Sequence, residues 1–457
     1  MSEPHTDLEK HASSEGTSLH DGHEKPFHET PFDAAADAEA NEAAAPTGPA
    51  PASFANVPDG GLLAWSQVAG SFFLFFNTWG IMNTFGAYQT YYESGDLFVS
   101  TSSDIAWIGT IQAICVMLFG ALSGPLYDQG HLRPLLLVGS ILVVLGNMML
   151  SLCHEFWQCL LAQGFCIGIG AGCLFVPAVA ILPTYFRKNL GLAIGLAASG
   201  SSMGGVIYPI VLYRLINTIG FGWSTRVLGF IALATLLLPI IVMKQRIKPP
   251  KARALLDPTA FTDLPFAVYV GGLIFGFVGL YTGLFFTSYF SAATGIADEE
   301  MAFYLVPILN AASVFGRTLP NWLSDKVGPL NIMTPGAFIC SILLFCFLAV
   351  HNLAGMIVNT IFFGFFSGVF IALPAVLLVV LTADKTKAGT RIGMGFGFLS
   401  IGALLGGPAA GAIIGEDPTN LHFQSMWIYG AVFMLASGLV FVYVRWLKVG
   451  FKLMVKI

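Results

Sequence analysis

The chain has 457 residues, of which 55% are hydrophobic and only 10% charged, with a formal net charge of -5. Soluble globular proteins carry about 25% charged residues. Repeated apolar runs of about 20 residues, with so few charges between them, exclude a soluble fold and describe a polytopic membrane protein. The chain also lacks the basic stripe that a phosphate backbone requires, which excludes a nucleic-acid partner and leaves the lipid bilayer as the main surroundings.

In chain order, residues 1–58 are polar, acidic and rich in Ala and Pro. They hold too little apolar surface for a core and read as a disordered tail. The start has no apolar h-region, so no signal peptide is expected. Five of the nine histidines fall here at irregular spacing, a solvated tail rather than a metal site. Twelve apolar segments follow, near 63–89, 104–126, 134–153, 157–182, 190–216, 227–245, 266–291, 300–323, 332–350, 354–381, 391–414 and 425–446. Each is long enough to cross a hydrocarbon core of about 30 Å. The expected fold is an all-α membrane protein whose twelve transmembrane helices form two six-helix bundles. The bundles are expected at 59–246 and 265–447, joined by a basic, Pro-containing linker at 247–264 and followed by a tail at 448–457. The seven cysteines lie in or beside apolar segments and read as small buried residues, without a metal or redox role.

Lysine and arginine orient the chain. With both termini inside, 18 of the 21 cations fall on inner segments, and the outer loops carry only acidic charge. The split predicts cytoplasmic termini. The plasma membrane is the expected location, with a vacuolar or other internal membrane as the alternative.

One stretch, Tyr185-Phe-Arg-Lys-Asn-Leu-Gly191 onward to Gly205, sets two cations before a helix of Gly, Ala and Ser. Gly191 and Gly195 are four residues apart, as are Gly200 and Gly204, and the two pairs lie on opposite helix faces. Small residues on both faces let neighbouring helices approach closely. The glycines at 191, 195, 200, 204 and 205 recur at 393, 397, 402, 406 and 407, and Pro177-Ala-Val recurs as Pro374-Ala-Val. Asp128, after the second segment, matches Asp325, after the eighth. Two such halves in one orientation point to bundles around a central site that opens alternately to either side.

These residues also carry a resemblance. Asp128 and Arg133, with the half-repeat at Asp325-Lys326, resemble the loop signature of the major facilitator superfamily. Asp59-Gly-Gly-Leu-Leu-Ala-Trp65 and the Tyr185–Gly200 stretch resemble two motifs of its monocarboxylate-transporter family. Phe85-Gly-Ala-Tyr-Gln-Thr-Tyr-Tyr-Glu93 and Asn310-Ala-Ala-Ser-Val-Phe-Gly-Arg317 resemble the fungal branch. The resemblance spans about residues 57 to 447 and implies twelve spans, alternating access and a small substrate, often a carboxylate. Two positions depart from the proton-coupled animal members. Gly86 stands where they have a lysine, and Ser313 where they have an aspartate. Both departures weigh against proton symport by that route, although H+ remains one candidate coupling ion.

Arg317 is the leading candidate for substrate binding. It lies eight residues before Asp325, about 12 Å from the inner end, where a cation needs water or a partner. Its guanidinium fork suits a carboxylate. Asn310 and Ser313 share its helix face. Asn77, Thr84 and Tyr88 form a polar stripe on the first segment, expected to face the cavity, and Gly276, Gly279, Gly283, Thr287 and Phe290 form the corresponding stripe on the seventh. Asp128, Arg133 and Asp325 are candidates for gating, as charge pairs at helix ends. Gly200 and Gly204 are candidates for a sliding contact beside the helix that bears Arg317.

No nucleotide-binding motif, nucleophile–base pair or cofactor signature appears, so neither an ATP-driven pump nor an enzyme is expected. The expected function is secondary active or facilitative transport of a small, carboxylate-bearing organic solute by alternating access. The alternatives are export of a secondary metabolite, carriage of a flavin-like solute, or a transporter-like receptor.

Overall fold

The computed structural model describes residues 57–100, 102–247, 256–415, 421–450 and 455. The expectation of disorder at 1–58 therefore falls almost wholly outside the described residues, as do 248–255 of the linker and most of the C-terminal tail. The described helices belong to one unit, Ala52–Ile457.

Among the described residues every regular element is helical. Ten helices are long and apolar enough to cross a membrane. One of them, Leu190–Val242, is a 53-residue run broken at Gly220 (φ 77°, ψ 166°), so it contains the fifth and the sixth span. Leu62–Met82, at 21 residues, is a further crossing helix, the first span, whose Gln67, Asn77 and Thr78 lower its mean hydropathy. The second span is Ser102–Asp128 and the third Leu132–Leu150. The fourth starts at Phe156–Cys159, widens into a π-helical stretch at Leu160–Ile167 and ends as Gly168–Ala180. The seventh to tenth are Leu264–Ala293, Glu299–Val327, Pro329–Cys346 and Leu353–Leu381. The eleventh runs Ala388–Leu404, through a π-helical turn at Leu405–Ala409, to Ala410–Ile414. The twelfth is Phe423–Val449. The described residues thus hold the twelve spans of the expected fold.

Two boundaries differ from expectation. The first segment does not run to 89. It ends at Met82, where the amide of Thr84 turns back to the Ile81 carbonyl at 3.0 Å, and a separate helix follows at Phe85–Glu93. The fifth and sixth spans have no loop at 217–226. Both stay helical up to Gly220, whose positive φ a residue with a Cβ rarely adopts. The Ser224 hydroxyl donates to the Gly220 carbonyl at 2.7 Å, closing the first turn after the break.

The outward surface is that of a lipid-facing bundle. Leu137, Val138, Ile141, Leu145 and Met149 of the third span are all exposed. A contiguous apolar face of this kind would be a liability in water and is at home in hydrocarbon.

Close packing relies on small residues. The fifth span has two glycine faces. A Cβ on Gly191 or Gly195 would collide with the eighth span, at the carbonyls of Asn321 and Arg317 respectively. On Gly200 or Gly204 it would collide instead with the first span, at the carbonyls of Phe72 and Phe76. The expectation that Gly200 and Gly204 slide beside the Arg317 helix is therefore corrected. Those two glycines pack inside the first half, and Gly191 and Gly195 make the contact between halves.

Candidate functional site

A small cavity lies between the two halves. Its walls are mainly aromatic and aliphatic. Phe75, Trp79 and Met82 reach it from the first span, Phe175 from the fourth, Phe277 and Tyr281 from the seventh, and Phe396 from the eleventh. Phe175 and Phe396 meet edge to face at 4.8 Å between ring centroids, and Trp79 packs on Phe175 at 5.3 Å. The polar groups are few: Asn83, Ser201, Tyr281, Asn310, Ser313 and Arg317.

Arg317 is 3% exposed and is the only charged side chain among the described lining residues. Its Nε donates to Ser313 Oγ at 3.1 Å, on its own helix. Its Nη1 reaches across to the fifth span, donating to the Ala198 carbonyl at 2.9 Å and to the Ser201 hydroxyl. Its Nη2 makes no hydrogen bond among the described residues. The guanidinium is thus held in place by two of its three nitrogens. Asn310 stands at i−7 on the same face, and Asn83 Nδ2 donates to its Oδ1 at 3.3 Å from the break after the first span. Gly205 makes room for this pair, since a Cβ there would lie 2.8 Å from Asn310 Oδ1 and 2.9 Å from Asn83 Nδ2.

Asn310, Ser313 and Arg317 line the cavity, whereas Asn77, Thr84 and Tyr88 do not. Asn77 is fully buried within the first half. It accepts from the Tyr208 hydroxyl at 2.6 Å and donates to Thr235 Oγ1 at 2.8 Å. Thr84 donates to its own Gly80 carbonyl at 3.2 Å, and Tyr88 lies over Tyr92 and against Phe221. The polar stripe of the first span therefore joins helices inside one half, and the apolar stripe Phe75–Trp79–Met82 faces the cavity. The seventh span repeats the inversion. Gly279 abuts the Gly430 carbonyl and Phe290 abuts Phe423 and Trp427, while Phe277, Leu280, Tyr281 and Leu284 face the cavity. Asn83 and Ser201 were missed. Asn83 lies just past the polar stripe, and Ser201 sits in a serine-rich run that carries no special spacing.

Below the cavity, at the basic end, the halves close on each other. Asp325 ends the eighth span and accepts from the backbone amides of Gly191 (2.6 Å) and Leu192 (2.8 Å) at the start of the fifth. Asp128 ends the second span and accepts from the amide and the hydroxyl of Thr390, both at 3.0 Å, at the start of the eleventh. Each carboxylate caps a helix N-terminus of the opposite half, where the amides are unsatisfied and the helix dipole is positive. Beside them, a Cβ on Gly124 would lie 2.6 Å from the Gly389 carbonyl. Both carboxylates thus take backbone amides as partners, a contact that charge pairing does not suggest. Arg133 is exposed and takes no part in the closure by any hydrogen bond or ion pair among the described residues.

The motifs that precede the first and the fifth span also meet. Asp59, the only residue other than glycine with positive φ among those described (55°), accepts at Oδ1 from the amides of Arg187 and Lys188, the latter at 2.6 Å. Trp65 packs on Phe186 at 5.0 Å.

The profile of the Major Facilitator Superfamily matches residues 67–354. Among curated proteins, the MFS-type transporter dbaD of Emericella nidulans is 58% identical over 84% of this chain and 86% of its own length. The aspyridones efflux protein apdF of the same organism is 35% identical, over 83% of this chain and 77% of its own. The agnestins efflux protein AgnL12 of Paecilomyces divaricatus is 34% identical, over 81% and 86% respectively. Among solved structures, the human organic anion transporter MFSD10 (TETRAN) superposes with a TM-score of 0.64 at 12% identity, covering 83% of this chain and 98% of that one.

Proposed function

We propose, for a chain that belongs to the Major Facilitator Superfamily and is a membrane transporter of that type, that it exports an amphipathic secondary metabolite with an aromatic body and one acidic oxygen. The observation that carries this reading is Arg317, the only charged side chain among the described lining residues, braced through two nitrogens with Nη2 left over. A guanidinium in a largely apolar cavity favours a carboxylate, enolate or phenolate oxygen. Phe75, Trp79, Phe175 and Phe396 offer faces and edges for rings. Two relatives named as efflux proteins for aspyridones and agnestins support the same direction.

In this reading the basic end is cytoplasmic, in accord with the placement of lysine and arginine. The carboxylate caps of Asp128 and Asp325 form the cytoplasmic gate, here shut, and the chain sits in the plasma membrane. Kinship with monocarboxylate carriers is part of the proposal and rests on the paired motifs at Asp59 and Tyr185. No Asp, Glu or His is among the described lining residues, so a proton cycle in the cavity would run through the acid group of the substrate.

Uptake into inside-out vesicles carrying the full chain tests the reading, with a panel of hydroxyaryl carboxylic acids and their methyl esters. The acids should be transported and the esters not. Arg317→Ala should lose the acids while the protein still elutes as a folded species. Equal transport of acids and esters, or normal transport in Arg317→Ala, would sink the proposal.

A further inference from the structure

The described end of the linker meets the start of the eleventh span through a group of charged side chains. Arg391, 8% exposed, donates from Nε to Asp257 Oδ2 at 2.9 Å and from Nη1 to Asp263 Oδ2 at 2.9 Å. Its Nη2 donates to Thr259 Oγ1 at 3.2 Å, and its cation lies over the Phe266 ring at 5.1 Å. Lys387 adds a contact to Asp257 Oδ1 at 3.1 Å, and the Thr259 hydroxyl donates to the same oxygen at 2.6 Å. Asp257 itself is 5% exposed. All three guanidinium nitrogens are engaged, so the first turn of the eleventh span has a fixed place relative to the linker. Buried ion clusters add little net stability, yet removing one partner is costly, so they act mainly by holding a geometry.

The residue before Arg391 is Thr390, whose amide and hydroxyl meet Asp128 of the other half. One turn of helix therefore carries the opposing half on one residue and the linker on the next. We infer that Asp257, Asp263 and Arg391 are positioning residues of the gate. They hold the first turn of the eleventh span where Asp128 can dock, and the linker thereby sets how readily the basic end opens. The inference rests on reading the two carboxylate caps as the gate.

Hydrogen exchange on the full-length protein in lipid nanodiscs tests it. In Asp257→Asn, amides at 388–393 and also at 190–193 should exchange about tenfold faster than in the parent, because opening is the exchange-competent event. In the second set the amides of Gly191 and Leu192 are bonded to Asp325, a residue outside the cluster. Asp257→Glu, which keeps the charge, should stay near the parent rate at 190–193. Acceleration confined to 256–263 and 388–393 would overturn the inference, since the linker would then anchor only its own neighbours. Equal acceleration in Asp257→Glu and Asp257→Asn would overturn it too. Asp128→Asn separates the inference from its premise. If that variant speeds 190–193 and Asp257→Asn does not, the gate stands and the linker's role falls. If neither does, the gate reading falls and the inference with it.

Discussion

Gly195 lies directly against the backbone of Arg317, so a side chain at 195 would run into the Arg317 carbonyl oxygen. The contact joins the fifth span of one half to the eighth of the other. A Cβ on Gly191 would likewise run into the Asn321 carbonyl and lie 2.6 Å from Ser324 Oγ. Gly195→Leu should lever the halves apart at the level of the cavity floor. Transport in vesicles should drop by about tenfold or more, since overpacking a tight contact costs roughly 1–3 kcal/mol. Gly204→Leu presses on Phe76 and Gly80 within one half. Its main effect should be a lower melting temperature and yield. Thermal melts and vesicle transport measured on both variants separate the two faces, and identical profiles would refute the distinction.

The two carboxylate caps should act as one device. Asp128→Asn and Asp325→Asn each remove charge-assisted bonds to helix amides, worth about 1 kcal/mol apiece by capping precedent. If the caps open together, the double variant should change exchange at the basic end by less than the sum of the singles. Independent sites would otherwise be additive within about 0.5 kcal/mol. Strict additivity would mean two independent latches.

Asp257 gives a pH prediction. Burial alone would raise its carboxyl, but hydrogen bonds from Thr259, Arg391 and Lys387 outweigh this and hold it well below its ordinary value of 3.8. A carboxylate held low contributes stability that is present above the unfolded value and is lost as pH falls through the folded one. The melting-temperature gap between the parent and Asp257→Asn should therefore stay constant from about pH 5 to 8 and shrink only below about pH 4. A gap that changes between pH 6 and 8 would mean another group controls the cluster.

Gly220→Ala should cost about 1–3 kcal/mol, a backbone penalty alone, because the residue has φ 77° and ψ 166° and a Cβ there meets nothing within 4 Å. A small drop in melting temperature with transport intact is the expected result. A large loss of transport would show that the hairpin bends during the cycle.

Much of the architecture was legible in the residues. Apolar length marked the spans, and the repeat of Asp128 at Asp325 marked the helix ends that close on the opposite half. Arg317, Ser313 and Asn310 share a helix face by spacing alone. The stripes on the first and seventh spans were also visible, but their partners were not. Periodicity says which residues share a face and is silent on what that face meets. In a membrane bundle a buried Asn can satisfy itself on Tyr208 and Thr235 as well as in a cavity. The linker cluster was out of reach for a different reason. Asp257 and Arg391 are 134 residues apart, and no motif joins them.

The start of the fifth span has one further property. Asp59, from its own half, holds the amides of Arg187 and Lys188, and Asp325, from the other half, holds those of Gly191 and Leu192. If the carboxylate caps are the gate, as proposed, the first cap stays in place and the second is removable. When Asp325 withdraws, the helix keeps a negative group at its positive end and need not unravel a turn. At this helix the change of state would then expose only the amides of Gly191 and Leu192 while the helix keeps its first cap.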